Sequence, residues 1–101
     1  MSSLNEVFGA LADPTRRQVL SSLAEQPGLT ASRLAGELPM TRQAVSKHLH
    51  ALSGAGLVTA RREGRETRYT ITPAPLADAM EWMAAVGAEW DERLQRLATR
   101  A

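Results

Sequence analysis

Helix-breaking residues divide this chain into short segments, and this division constrains the fold more than any other feature. The breaks fall at Asp13-Pro14, Pro27-Gly28, Pro39, Gly54 with Gly56, and Pro73 with Pro75. Up to residue 54 the segments carry apolar residues at helical spacing, whereas residues 57–72 are rich in β-branched residues. The pattern predicts a mainly α domain with one small β-hairpin, in the order α-α-α-α-β-β-α.

Each of the four N-terminal helices has an apolar face, and three have an evident N-cap. Asp13 is the expected N-cap of the second helix, with Pro14 at its first position, and Thr30 and Thr41 are the expected N-caps of the third and fourth. The apolar faces are Leu4, Val7, Phe8 and Leu11; Val19, Leu20 and Leu23; Leu34, Ala35 and Leu38; and Ala44, Val45, Leu49 and Leu52. Residues 30–53 therefore have the spacing of a helix-turn-helix.

Charge is unevenly distributed along the chain. The formal net charge is +1, but residues 41–70 carry +4, whereas residues 1–40 carry −1 and residues 71–101 carry −2. A basic middle between mildly acidic ends favours a polyanionic partner for the middle.

The fourth helix, recognition helix 41–53, has a polar face without a carboxylate. Its outward residues are of the types that donate to phosphates and read base edges, since Arg pairs with guanine and Gln with adenine. These residues are Arg42, Gln43, Ser46, Lys47 and His50. The alternative is an ordinary amphipathic surface helix, but such a helix normally includes Glu or Asp.

The hairpin that follows is basic at its tip. Its turn is expected around Gly64, and Arg61, Arg62, Arg65 and Arg68 cluster there. A hairpin after a recognition helix is a wing that can reach phosphates or the minor groove. The alternative is a solvated turn, which Glu63 and Glu66 support.

The sequence predicts one winged helix-turn-helix domain over residues 1–101, with the helix-turn-helix at 30–53 and the wing at 57–72.

The last helix, expected over residues 75–99, carries an apolar stripe in a 4-3 pattern. The stripe consists of Leu76, Met80, Met83, Gly87, Trp90, Leu94 and Leu97. One small domain cannot easily cover such a stripe, whereas a second copy of the chain could, and Gly87 would permit close approach of two backbones. The alternative is that the stripe packs within one chain.

Several classes of protein are disfavoured by the residues that are missing. The chain has no cysteine, which excludes disulfides, thiolate metal sites and a thiol nucleophile. His48 and His50 point about 200° apart on a helix, so they cannot share a metal ion. Ser46 and His50 lie one turn apart, but no acid is placed to orient the histidine, so we expect neither an enzyme nor a cofactor. No apolar run approaches ~18 residues and no signal peptide is evident, so we expect a cytoplasmic protein with no membrane partner.

Three motifs resemble the ArsR/SmtB family of bacterial winged-helix repressors. They are Asp13-Pro14-Thr15-Arg16-Arg17; Ala44-Val45-Ser46-Lys47-His48-Leu49 with Leu52; and Ala55-Gly56-Leu57-Val58 followed by Arg61-Arg62-Glu63-Gly64-Arg65 and Arg68-Tyr69. The resemblance covers nearly the whole chain.

The resemblance implies a homodimer that represses transcription from a roughly palindromic operator on double-stranded DNA. Each subunit would place one recognition helix in the major groove, where Thr41 and the outward residues named above would contact bases and phosphates. The wing arginines would contact the DNA backbone. The first and last helices would form the dimer interface, so Leu4, Val7 and Phe8 of the first helix are expected there together with the stripe of the last helix.

One departure from the family concerns the sensing of metals. Many members bind metal through cysteines in the third helix or Asp, His and Glu in the last, but here the third helix has no thiol and the last has Asp78 and Glu81 without His. The chain therefore resembles a metal-independent subgroup, and any small-molecule effector is unidentified. Trp82 and Trp90 are expected in the core or interface, with a ligand cage as the alternative. A winged-helix protein-interaction module without specific DNA binding is the alternative function.

Overall fold

A computed structural model describes residues 3–99 and confirms the predicted order of elements. Five helices and one two-stranded antiparallel sheet follow one another along the chain. The helices are α1 (Leu4–Leu11), α2 (Pro14–Glu25), α3 (Ala31–Glu37), α4 (Arg42–Gly54) and α5 (Pro73–Ala98), and the strands are β1 (Val58–Glu63) and β2 (Glu66–Ile71).

Side-chain caps fix where the short helices begin. The Asp13 carboxylate accepts hydrogen bonds from the backbone N–H groups of Thr15, at 2.7 Å, and Arg16, at 3.4 Å. The Thr15 hydrogen bond is the main cause that holds the pKa of Asp13 below its ordinary value. The Thr30 hydroxyl accepts from the Arg33 N–H at 3.2 Å, and the Thr41 hydroxyl accepts from the Ala44 N–H at 3.1 Å. The three predicted N-caps are therefore confirmed.

The core is built mainly from leucine, valine and alanine. α4 lies at its centre and packs against α2, α3 and β1. Val45, Leu49 and Leu52 are at most 1% exposed, so one side of α4 is fully used in packing. The other side chains below 2% exposure are Val7, Val19, Leu23, Leu34, Leu57 and Ala79. Val7 was expected at the dimer interface, but within one chain it already has almost no surface left to bury.

The hairpin is anchored to the helical body by two backbone hydrogen bonds of Tyr69. Its register pairs Val58 with Ile71 at the base and Glu63 with Glu66 at the tip, and Gly64 forms the turn with φ +63°. Tyr69 in β2 donates its N–H to the Leu29 carbonyl, and its own carbonyl accepts from the Gly28 N–H, both at 3.0 Å. The loop between α2 and α3 therefore holds the middle of β2.

α5 leaves the body of the protein over its second half. Its first half packs on α1, where Ala79 is buried and the Trp82 and Phe8 rings meet edge to face with 5.5 Å between their centroids. From Gly87 to Thr99 every residue is exposed, and the molecule measures 66 Å along its longest axis but 29 and 20 Å across. Within residues 3–99, no helix is both long and apolar enough to cross a membrane.

Leu49 provides a test of the packing of α4. Replacing Leu49, which is 1% exposed, with Ala leaves a cavity under the recognition helix. We expect Leu49→Ala to lower the free energy of unfolding by about 2–5 kcal/mol, measured by urea denaturation. The volume-conserving control Leu49→Met should cost less than about 1.5 kcal/mol. Equal stability of the alanine variant and the wild type would contradict this packing.

Candidate nucleic-acid interface

The polar side of α4 forms a shallow groove on the protein surface. Because Val45, Leu49 and Leu52 face the core, the side chains between them must point outward. The outward residues predicted from the sequence are all exposed, and they line the groove together: Arg42, Gln43, Ser46, Lys47 and His50. The structure therefore brings the predicted reading residues of the helix onto one continuous surface.

The groove is positively charged. Arg42 and Lys47 lie in it with a third cation, Arg16 of α2, and no carboxylate is among its lining residues. A surface of this kind attracts a polyanion and offers guanidinium, amide and hydroxyl donors at close spacing.

Thr41 has a structural role at the start of this surface. Its hydroxyl oxygen accepts from the Ala44 N–H at 3.1 Å, which leaves the hydroxyl proton free to be donated to a phosphate. The same side chain can therefore cap the helix and contact a ligand.

The two histidines lie in different environments, in agreement with their spacing. Both line the groove, but His50 is exposed whereas His48 is half-buried. The His48 Nδ1 is buried and has no hydrogen-bond partner within residues 3–99. Its positive charge, when protonated, is one of the smaller influences that lower the pKa of Asp13.

Two of the four wing arginines form ion pairs within the wing. Arg61 and Arg68 lie directly opposite each other in the hairpin, an arrangement of like charges that is unfavourable by itself. Glu63 compensates for it, with one carboxylate oxygen 3.4 Å from both guanidinium groups, and Glu66 lies 3.0 Å from Arg68. All four side chains are exposed, so these pairs are weak in energy but set the positions of the charges.

Arg68 also attaches the wing to the helical body. Its Nη1 donates to the Gly28 carbonyl at 3.0 Å, beside the backbone hydrogen bonds between Gly28, Leu29 and Tyr69. The sequence predicted a DNA contact for Arg68, whereas the structure shows its guanidinium bonded to three groups of the protein itself.

The other two wing arginines face the recognition helix. Arg62 and Arg65 line a second groove with Arg42 and Ser46 of α4. Glu66 also lines this groove, but in the described chain no carboxylate lies within 4.0 Å of the Arg62 or Arg65 guanidinium. Arg62 Nε donates to the Gly64 carbonyl at 3.2 Å, which leaves its terminal nitrogens available. The wing and the helix therefore present their unneutralised cations side by side.

Arg16 is a residue of this surface that sequence reasoning did not identify as a site residue. It reaches the groove because it lies on the inner edge of α2, three and four residues before Val19 and Leu20. That spacing is visible in the sequence, but its relation to α4 depends on how α2 and α4 pack.

The predicted dimer residues fall into an exposed and a covered set. Met80, Met83, Trp90, Leu94 and Leu97 are 47–66% exposed, and Gly87 is exposed with no atom within 4 Å of a Cβ built on it. Leu4, Phe8 and Leu76 are half-buried against the core, and Val7 is buried within it. The surface left open to a partner therefore lies mainly on α5.

Comparison with known proteins places the chain among transcriptional regulators. A family sequence model described as a helix-turn-helix domain matches residues 11–61. The HTH-type transcriptional regulator CmtR of Mycobacterium tuberculosis is 40% identical over 99% of this chain and 84% of its own length. The transcriptional repressor SdpR of Bacillus subtilis is 32% identical over 79% of this chain and 88% of its own length.

Solved structures give the same result. An ArsR-like transcriptional regulator from Rhodococcus sp. RHA1 has a TM-score of 0.82 and 43% identity, covering 97% of this chain and 92% of that one. A homodimeric winged helix-turn-helix DNA-binding domain from Mycobacterium bovis has a TM-score of 0.64 and 36% identity, covering 89% of this chain and 80% of that one.

The attachment of the wing by Arg68 can be tested by hydrogen exchange. In Arg68→Gln the charge that holds the Gly28 carbonyl is removed, so we expect faster exchange of the Gly28 and Tyr69 amide hydrogens, measured by NMR. Arg61→Gln removes the same charge from the facing position of the hairpin and should leave these two amides protected. Unchanged protection in Arg68→Gln would contradict the role assigned to Arg68.

Proposed function

This chain belongs to the ArsR family of winged helix-turn-helix transcriptional regulators, which bind DNA, and we propose that it acts as a homodimeric repressor. Each protomer would insert α4 into the major groove of one half of a palindromic operator. The residues proposed to contact bases or nearby phosphates are Thr41, Arg42, Gln43, Ser46, Lys47 and His50.

The observation that carries this proposal is the acid-free groove along α4, continued by the unneutralised Arg62 and Arg65 of the wing. The helix face supplies donors that distinguish base edges, and the wing supplies cations for the backbone. Arg61 retains an exposed guanidinium beside Glu63 and can add to the field at the wing tip. Arg68 contributes by holding the wing in place.

The exposed stripe on α5 supports the dimer. Six large apolar side chains of α5, five from the stripe and that of Trp82, are 47–66% exposed, and every residue from Gly87 to Thr99 is exposed. A contiguous apolar surface of this kind is costly in water, and a second copy can bury it through the same residues on both sides. The related domain from Mycobacterium bovis is homodimeric, which agrees with this proposal.

The proposal does not extend to sensing of a soft metal. A solution structure of CmtR describes that protein as a cadmium metal-sensor. Soft cations prefer thiolate ligands, and this chain has no cysteine to supply them. Among residues 3–99 no three His, Asp or Glu side chains are grouped as a metal site would require. We propose a metal-independent regulator whose effector is unidentified.

Mobility-shift titrations against the promoter of its own gene would test the DNA-binding function. We expect tighter binding there than to a shuffled duplex of the same length. Gln43→Ala should reduce that preference by about 1–3 kcal/mol, because it removes a residue that reads base edges. Gln18→Ala, which changes an exposed glutamine of α2 outside the groove, should bind as the wild type does.

Equal binding to promoter and shuffled DNA would contradict the proposed function. A pull-down in which a protein partner is retained at high salt, together with an absence of specific DNA binding, would instead support a protein-interaction module.

The dimer can be tested with two aspartate substitutions on opposite sides of α5. Leu94→Asp places a charge in the exposed apolar stripe, whereas Ala85→Asp places one nine residues earlier, on the opposite face at 100° per residue. In sedimentation equilibrium we expect the wild type and Ala85→Asp to have twice the 10.9 kDa chain mass, and Leu94→Asp to approach one chain mass. A dimeric Leu94→Asp variant would contradict the proposed interface.

A further inference from the structure

Within residues 3–99, Arg16 is the only residue lining the α4 groove that does not belong to α4 itself. The other lining residues lie between Arg42 and Ala51 of the recognition helix. Arg16 lies in the first turn of α2, outside the two helices of the helix-turn-helix. Arg16 therefore reaches the groove from outside the helix-turn-helix.

Arg16 is held at the groove by contacts that leave most of its donors unused. Its Nη1 lies 3.5 Å from the Gly9 carbonyl, a long hydrogen bond, and small residues of α1 and α4 give the side chain room to pass. Its Nε is buried and has no acceptor within residues 3–99.

The positive charge of Arg16 is also not neutralised within the described chain. Within residues 3–99 no carboxylate lies within 4.0 Å of the guanidinium: Asp13, whose pKa the Arg16 charge helps to lower, is engaged by backbone N–H groups, and Glu6 lines the same cleft without forming an ion pair. A half-buried arginine with spare donors and no ion-pair partner is well suited to bind a phosphate, whose oxygens accept two parallel hydrogen bonds.

The position of Arg16 complements that of the wing. Arg62 and Arg65 meet α4 near Arg42, at its N-terminal end, whereas Arg16 meets it near Ala51 and Gly54, at its C-terminal end. Arg42 and Ala51 are nine residues apart, or about 14 Å along the helix axis. The major groove of B-DNA is about 12 Å wide, so the two groups of cations are spaced to meet the two backbones that border it.

We propose that Arg16 binds a backbone phosphate of the operator on the strand across the major groove from the wing. This inference rests on the proposed function, since it requires that α4 enter the groove. It adds a positioning contact from α2, which would fix the depth and angle of the recognition helix without reading sequence.

The adjacent arginine offers a matched control. Arg17 also donates to a carbonyl of α1, that of Leu11 at 2.6 Å, but it does not line the groove. Arg16→Gln and Arg17→Gln therefore remove the same charge from neighbouring positions of one helix. The affinity of each variant for the promoter duplex and for a shuffled duplex would be measured at several salt concentrations.

For Arg16→Gln we expect weaker binding to both duplexes. The plot of log affinity against log salt should be shallower by about two units per dimer, because each subunit neutralises one phosphate fewer. Arg17→Gln should keep the wild-type slope. An unchanged slope in Arg16→Gln, or the same change in both variants, would overturn the proposal.

A second measurement uses the wild-type protein and does not depend on the variant folding. Ethylation of single phosphates should interfere with binding on both strands bordering the major groove of each half-site. Interference confined to the strand beside the wing would overturn the role of Arg16 while leaving the proposed function intact. Absence of any specific complex with the wild type would instead contradict the proposed function itself.

Discussion

The burial of Val45, Leu49 and Leu52 is the constraint on which the rest of the site depends. These residues are at most 1% exposed, so the rotation of α4 about its own axis is fixed by packing against α2, α3 and β1. A rotation of one residue, about 100°, would turn polar side chains into the core at several kcal/mol each. Core packing therefore determines which face of the helix is offered to DNA, and the polar residues occupy that face.

The wing shows that a cluster of like charges in sequence is divided between two roles in the structure. Glu63 and Glu66 pair with Arg61 and Arg68, and Arg68 also holds the Gly28 carbonyl, forty residues away in the chain. Arg62 and Arg65 are left without carboxylate partners beside α4 in the described chain. The acidic residues of the hairpin thus pair with two of its arginines and leave the other two unpaired, and the attachment to the α2–α3 loop holds the wing beside the recognition helix.

Features governed by local sequence were predictable, and those governed by packing between elements were not. The N-caps Asp13, Thr30 and Thr41 and the turn at Gly64 follow from the chemistry of a few adjacent residues. Val7 was assigned to the dimer interface by resemblance, because apolar spacing on α1 cannot tell whether a residue is buried within one chain or against a partner. The places of Arg16 and Arg68 depend on contacts between elements distant in the chain, which helical periodicity does not specify.

The exposed stripe of α5 and the groove along α4 together support the proposal that two copies of the chain read DNA as a dimer. Footprinting of the wild-type protein on promoter DNA with hydroxyl radicals tests this claim most directly. We expect two protected regions per strand, related by a dyad, with their centres about one helical turn (~10 base pairs) or a small multiple of it apart. A single protected region without a dyad, or uniform protection along the duplex, would contradict it.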